Sequence, residues 1–434
     1  MKQASDSAPA SDPYRLPIDA SSDERTVIDA VREWVATHVP ASWREAAARG
    51  GPAAIREVRT RADYEAWYPV FARSGMVAPA LPVEYGGLGV SSRIARLIEN
   101  ELRPYNLGRL NVLGLNLAAP ALLAFGTEEQ KRRFLPPIVR NEEVWCQLFS
   151  EPGAGSDLAS LSTRAERDGD HWAITGQKVW NTWAHIADYG VLLARTDPNA
   201  PKREGITYFL CPMRAEGVTV RPLRHITGEV DFSEVFLDGV RVPDFNRLGE
   251  VGAGWKVANA TLSGERNMVS GAGAGGVDRI GGSSVRRLIT TARANGAWND
   301  PLVRQRLMAL WCEERVREWT NSRVRDNARA GRPPGPESSI GKVHQGELNQ
   351  RIQEAAVDIL GPAALAWQGP AGADPAAYGE SLPFAVHGML RSRANTIEGG
   401  TSEINRNIIG ERVLGLPREP DPWKGVPWRD VPRS

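Results

Sequence analysis

The chain has little of what stapled or metal-dependent proteins are built from. Its three cysteines, Cys146, Cys211 and Cys312, stand far apart in 434 residues with no second thiol at ligand spacing. That argues against a disulfide framework and against a structural zinc. The six histidines, His38, His171, His185, His225, His344 and His387, form no ligand cluster with each other along the sequence, so metal catalysis finds no support there. No apolar run approaches the ~18 residues a membrane-spanning helix needs. The opening stretch MKQASDSAPASDPYRLP lacks the apolar core of a secretory signal, and a cytoplasmic location is expected. An excess of one charge is missing too. Lys and Arg total 53 against 52 Asp and Glu, a formal charge of +1. That balance gives neither nucleic acid nor an anionic membrane surface a foothold as the main partner.

What remains is an ordinary globular composition, 41% hydrophobic and 24% charged, on a chain long enough for two to four structural units at roughly 100–200 residues each. Residues 1–22, rich in Ser, Ala, Asp and Pro, read as a flexible tail. From Asp23 onward Val27, Val31, Trp34, Val35 and Val39 recur at three- and four-residue steps, a helical stripe. Helical patterns continue to about residue 143, and Thr127 with Gln130 after Gly126 supplies a helix start. Between 144 and 253 the texture changes to short β-branched or alternating runs broken by turn residues, as in HWAITGQKVW, YGVLLART and SEVFLDGVRVP. Helices return over 254–415, and 416–434 reads as a second tail. The class expected is α+β: an N-terminal helical domain (23–143), a central antiparallel β-domain (144–253) and a C-terminal helical bundle (254–415).

The most informative run is Leu148-Phe149-Ser150-Glu151-Pro152-Gly153-Ala154-Gly155-Ser156-Asp157. Its small residues expose backbone N–H groups flanked by two hydroxyls, a surface suited to a phosphate or a polar ring edge. It also reads as a tight turn linking two domains, since exposed Gly/Pro runs are mostly turns.

This decapeptide resembles the first signature of the acyl-CoA dehydrogenase family, flavoproteins with two helical domains around a central β-domain. LPVEYGGLG, FGTEEQKRRFLPPI, TGQKVWNTWAHIADYGVLLART, FLDGVRVP with LGEVGAGWKVA, and GGTSEINRNIIGERVLGLPRE occur in the family's order, so the likeness spans roughly residues 30 to 419. The resemblance implies a bound FAD. By position, Gln147, Phe149 and Ser150 match the strand along the flavin ring, and Ser156 the serine near the cofactor pyrophosphate and the entering CoA. Trp180 matches the tryptophan covering one side of the flavin, Thr182 the hydroxyl beside its hydride-accepting nitrogen, and Thr401 and Glu403 the residues that close over the cofactor. Read without the family, Trp180 is an ordinary core aromatic.

The implied reaction removes the α-hydrogen of an acyl-CoA thioester as a proton and the β-hydrogen as hydride, giving the trans-2-enoyl product. A carboxylate with a pKa raised toward the working pH must therefore face the flavin across the substrate. One branch of the family carries this base in Tyr-Glu-Gly-Thr before the last helix. Here the sequence reads Ile397-Glu398-Gly399-Gly400-Thr401, which leaves Gly399 at that place and Glu398 one residue out of step. A second branch, resembling isovaleryl-CoA and long-chain acyl-CoA dehydrogenases, keeps the base on the helix after the β-domain, immediately before an arginine. Leu262-Ser263-Gly264-Glu265-Arg266-Asn267 matches that arrangement, making Glu265 the candidate base. The plain reading of Glu265 is a solvated glutamate balancing Arg266 near a helix start. Gly399 remains useful for its main chain, since the family polarises the thioester oxygen with a backbone N–H there and a ribityl hydroxyl of the flavin.

From Glu265 the helical face carries Met268, Val269 and Ala272, and small residues from Gly271 to Gly276 leave space for a wide or branched acyl group. Gly271-x-Gly273-x-x-Gly276 matches the dinucleotide fingerprint only formally, because no strand precedes it. Two departures from the family stand out. Its adenine-binding Gln-x-x-Gly-Gly-x-Gly is here Asp358-Ile359-Leu360-Gly361-Pro362-Ala363-Ala364, and the pyrophosphate arginine is Arg293, with Arg304 or Arg306 as alternatives. The resemblance further implies electron transfer to an electron-transferring flavoprotein and a homo-oligomer, mostly a tetramer, built through the last helical domain. Two alternatives stand beside it: one subunit of a heteromeric dehydrogenase, and a flavin monooxygenase or oxidase on the same fold.

Overall fold

The computed structural model describes residues 12–269, 284–330, 335–365 and 384–432, with side chains left out at 53, 263–269, 325, 328 and 329. The chain divides into two units, Met1–Trp145 and Cys146–Ser434.

The first unit holds helices α1 (Glu24–His38), α2 (Ala41–Val58), α3 (Arg61–Arg73), α4 (Ser92–Leu102), α5 (Ala119–Phe125) and α6 (Glu128–Arg140). Their starts are written in the sequence. Asp23 accepts the Thr26 N–H, and Thr60/Asp63 and Thr127/Gln130 each form a reciprocal capping box, satisfying donors that the first helical turn leaves unpaired. Val27, Val31, Trp34 and Val35 are buried as the stripe requires, joining Trp43, Tyr64, Tyr68 and Phe71 in one core. The expected tail is shorter than 1–22. Leu16 is buried in that core, Arg15 donates to the Gly87 carbonyl and Trp34 Nε1 donates to the Tyr14 carbonyl at 2.6 Å. A single leucine among Ser, Asp and Pro has no periodicity to announce it.

The second unit opens with a sheet of β1 (Trp145–Leu148), β2 (Arg164–Asp168), β3 (His171–Thr182), β4 (Tyr189–Arg195), β5 (Ile206–Pro212), β6 (Val218–Leu223), β7 (Phe232–Pro243) and β8 (Arg247–Leu248). The order is β6-β7-β3-β2-β4-β5-β8, with β1 on β4. The β2–β3, β3–β7, β4–β5, β5–β8 and β6–β7 pairs are antiparallel, and β2 meets β4 in parallel at Arg164↔Arg195. Ile174, Leu192, Phe209, Val235, Leu237, Val240 and Val242 fill its core. The helices that follow are α7 (Gly254–Val269), α8 (Val285–Ala294), α9 (Pro301–Arg329), α10 (Ser338–Leu360), α11 (Phe384–Ser392) and α12 (Ser402–Ile408). α8, α9 and α10 share a core of Leu288, Leu307, Leu310, Leu348 and Ile352.

Of residues 416–434, expected as a tail, the described part, to residue 432, returns to the sheet. Trp428 is buried, its Nε1 donates to the Ser160 carbonyl at 3.3 Å, and the Arg195 guanidinium lies 4.5 Å from its ring centre. Among the described residues no helix is long and apolar enough to cross a membrane.

At the end of β7, Asp244 accepts hydrogen bonds from Arg247 Nε at 2.8 Å and Trp172 Nε1 at 2.7 Å. Arg247 is the larger cause holding its carboxyl down to about 2, against partial burial that would raise it. A depressed carboxyl stabilises the fold above its unfolded pKa of about 3.9, and that contribution disappears as pH falls through the folded value. Asp244→Asn should therefore lower the thermal midpoint at pH 7. The gap to wild type should narrow as pH falls below about 4, a trend checked by thermal unfolding across pH.

Candidate functional site

The site expected from the signature run is built where the chain leaves β1 and crosses β3. Three carbonyls of that crossing are held by β3: Asn181 Nδ2 donates to Gln147 O at 2.7 Å, Lys178 Nζ to Phe149 O at 3.0 Å and the Val179 N–H to Ser150 O at 3.0 Å. Lys178 is fully buried and also donates to Glu151 Oε1 at 2.8 Å. Burial alone would raise the Glu151 carboxyl. The Lys178 ammonium and the N–H groups of Ser162 (2.6 Å) and Thr163 (2.9 Å) outweigh it and hold the carboxyl below its ordinary range. Glu151 and Ala154 then exchange backbone hydrogen bonds, closing the turn that presents Ser156 to solvent.

On β3 the register against β7 slips between Lys178 and Asn181, a bulge of one extra residue. The bulge puts Trp180 at φ +61°, a left-handed conformation that bulky residues rarely adopt, and turns its ring outward, 55% exposed. The ring is braced edge-on by Phe232, centroids 5.8 Å apart. A strained, exposed tryptophan is the opposite of the core aromatic that composition suggests. Such positions persist where the surroundings over-determine them, commonly at functional sites. Thr182 ends the same strand opposite Phe232, half-buried. Gln147, Ser150, Trp180 and Thr182 thus lie along one seam of β1 and β3. Phe149 differs from them: its ring is buried edge-on against Tyr208, centroids 6.0 Å apart, so its side chain serves the core.

Tyr208 links this seam to α7. Its hydroxyl and the buried Thr261 hydroxyl lie 2.9 Å apart, and Gly254 starts the helix so close to β5 that a Cβ would stand 2.6 Å from Thr207 C. Position 265 is four residues beyond Thr261, one turn along the same helical face. Glu265, Arg266, Met268 and Val269 lie on α7 with their side chains outside the described set, and Ala272 lies outside the described residues.

Before the last helix, Glu398 accepts from Arg391 Nη2 at 3.0 Å and from Asn395 Nδ2 at 3.1 Å. Gly399 (φ +65°) and Gly400 (φ +87°) turn the chain in the left-handed region. Thr401 caps α12 by accepting the Ile404 N–H at 3.1 Å, while Glu403 is exposed near Arg406. Of the candidate arginines, Arg304 donates to the carbonyls of Trp298 and Asn299, and Arg306 pairs with Asp358. Arg293 rests its guanidinium over Trp298, 4.9 Å from the ring centre.

Sequence reading passed over Lys178, Asn181 and the Tyr208–Thr261 link. The signal was a lysine in the middle of a strand, 27 residues after the glutamate of the signature.

Comparison with known proteins agrees with this architecture. The family profiles described as the N-terminal, middle and C-terminal domains of acyl-CoA dehydrogenase match residues 21–142, 146–240 and 252–414. The chain belongs to the acyl-CoA dehydrogenase family and is an oxidoreductase acting on CH–CH groups, for which the family implies a flavin and an acyl-CoA substrate. Acyl-CoA dehydrogenase IpdE1 of Mycobacterium tuberculosis is 38% identical over 397 residues, covering 90% of this chain and 97% of the relative. Among solved structures, the Tcur3481-Tcur3483 steroid ACAD shares 29% identity at TM-score 0.69, over 93% of this chain and 100% of that one. The ChsE4-ChsE5 complex from Mycobacterium tuberculosis shares 29% at TM-score 0.65, with the same coverage.

Removing one partner of a buried ion pair strands the other's charge, at a cost of about 3 kcal/mol or more. Lys178→Ala should show that loss in urea unfolding at pH 7. Protonating the stranded Glu151 relieves it, so the deficit should shrink toward acid pH; a pH-independent deficit would mean that the pair contributes only packing.

Proposed function

We propose that this chain catalyses the FAD-dependent α,β-dehydrogenation of an acyl-CoA thioester to the trans-2-enoyl-CoA, with Glu265 as the α-proton base. The observation that carries the reading is Trp180, held strained and exposed on a bulge beside the pinned Gln147–Ser150 crossing. A flat ring fits against an indole presented that way, with the Ser150 hydroxyl at a polar ring edge and Thr182 beside it. Ser156 on its exposed turn, Arg293, Thr401 and Glu403 would hold the remainder of the cofactor, and Phe149 would shape the floor from below. FAD supplies the hydride acceptor.

The protein supplies the rest. Glu265 takes the α-proton, and the Gly399 N–H donates to the thioester oxygen as charge develops there. Glu398 is engaged by Arg391 and Asn395, which supports a base carried by α7. Thr261, fixed to Tyr208, sets the face of α7 on which position 265 recurs. Arg266, Met268, Val269 and Ala272 border the acyl site, and the small residues from Gly271 to Gly276 suit a wide acyl group. A steroid-type thioester is the class favoured, in line with the Tcur3481-Tcur3483 steroid ACAD. An electron-transferring flavoprotein takes the electrons onward, and the chain works as an oligomer.

A second reading, one subunit of a heteromeric dehydrogenase, is favoured by the segment from Asp358 to Ala364. There Asp358 is paired with Arg306, and Gly361 (φ +56°) precedes a proline that has no N–H to donate. The ChsE4-ChsE5 relative is itself a complex. This reading expects little flavin on the chain expressed alone.

Anaerobic addition of acyl-CoAs to the purified protein, followed by flavin bleaching, tests the function. Glu265→Gln should bind the same thioesters yet bleach about 10²–10⁴-fold more slowly; an unchanged rate removes Glu265 from the role. Rapid reoxidation by oxygen would favour an oxidase instead. Trp180→Asn, which tolerates the left-handed backbone, should leave the flavin-free chain within about 1 kcal/mol of wild type. Its flavin retention, read by absorbance after gel filtration, should fall.

A further inference from the structure

Beside Phe232 the ligand atoms of His225, Glu229 and Asp231 gather within 4.8 Å of one another, and His387 reaches the Glu229 carboxylate. His225, Glu229 and Asp231 belong to the connection between β6 and β7, and His387 comes from α11. The ring of His225 packs edge-on against Phe232, centroids 5.6 Å apart. Its side chain is nine-tenths buried, with 10% exposed, and its Nε2 has no hydrogen-bond partner.

The state of that nitrogen follows from its neighbours. His225 Nδ1 lies 3.1 Å from the Thr227 hydroxyl, which donates its one hydrogen to Glu229 Oε2 at 3.1 Å. With Nδ1 donating to Thr227, Nε2 carries the lone pair. That lone pair faces Glu229 Oε2 and Asp231 Oδ2, each 3.9 Å away. His387 Nε2 stands 2.9 Å from the same Glu229 oxygen without hydrogen-bond alignment. A buried lone pair turned toward two anionic oxygens is unfavourable unless a cation lies between them.

We propose that His225, Glu229, Asp231 and His387 bind one divalent transition-metal ion, with zinc the best match to two imidazoles and two carboxylates. Zinc–ligand distances of about 2.0–2.2 Å in a tetrahedral site set ligand atoms about 3.4 Å apart. The 2.9 and 3.9 Å separations bracket that value. The ligand atoms of His225, Glu229 and Asp231 all lie within 4.8 Å of one another, so closing the site takes shifts of up to roughly 1 Å, which the part-exposed carboxylates can supply. The Nδ1–Thr227 bond is the second contact that ligating histidines habitually make, fixing tautomer and ring orientation. Asp231 and Glu229 are 48% and 37% exposed, leaving an entry for the ion. The ion ties the β6–β7 connection to α11 directly behind the ring that braces Trp180. The role is structural and does not depend on the flavin reading. Along the sequence His225 and His387 are 162 positions apart, the difference of their numbers, which is why no ligand spacing showed.

The test is calorimetric titration of the chelator-treated full-length chain with zinc chloride, with magnesium chloride run in parallel. Expected are one zinc per chain, a rise in thermal midpoint with zinc and no saturable magnesium binding. His225→Gln and Asp231→Asn should each weaken zinc binding at least about 10-fold. The half-exposed Asp231 keeps the test alive if the His225 variant fails to fold. His185→Gln, at an exposed histidine outside the cluster, should bind as wild type. No saturable zinc binding overturns the proposal, and so does wild-type affinity in Asp231→Asn or a loss of binding in His185→Gln.

Discussion

The site rests on a buried ammonium. Lys178 has no access to water, yet its ammonium donates to the Phe149 carbonyl and to the Glu151 carboxylate, and so fastens the crossing strand to β3. A charge is kept in so costly a place only when its partners are complete, and Glu151 in turn collects two backbone N–H groups to complete them. One consequence is rigidity: Gln147, Phe149 and Ser150 have their carbonyls committed, and the crossing has no freedom to slide. The other is the bulge. With Lys178 anchored inward and Asn181 bonded to Gln147, the extra residue between them has only one way to go, and Trp180 is turned out.

How much of this could be read beforehand depended on whether the information was local. The cap at Thr127 was legible because it is short-range chemistry that announces a helix within three residues, whereas the caps at Asp23 and Thr60 went unread. The class and the helix, sheet, helix order followed from periodicity and from the family likeness. The ends of the chain were misjudged because Leu16 and Trp428 are single apolar residues in polar surroundings, and burial of one residue leaves no period to detect. The parallel meeting of β2 and β4 was equally silent, being a matter of strand placement.

The candidate site divides along the same line. Trp180 and Thr182 were found by resemblance, but the left-handed backbone that exposes the indole depends on a register slip against β7 and had no signature of its own. Glu398, one residue out of step with the family's base, accepts from Arg391 and Asn395, and neither partnership had a local signature. The cluster around His225 lay beyond any local reading, because one of its histidines arrives from a helix far along the chain.

The return of the C-terminal segment to the sheet makes the second unit a closed strap. Residues 414–425 run exposed from the last helix to Trp428, which is seated against Arg195 and the Ser160 carbonyl. A protease meets its most accessible peptide bonds along that span. A single nick there would free the tryptophan plug to dissociate without disturbing a helix or a strand, and would uncover the edge of the loop that carries the signature serine.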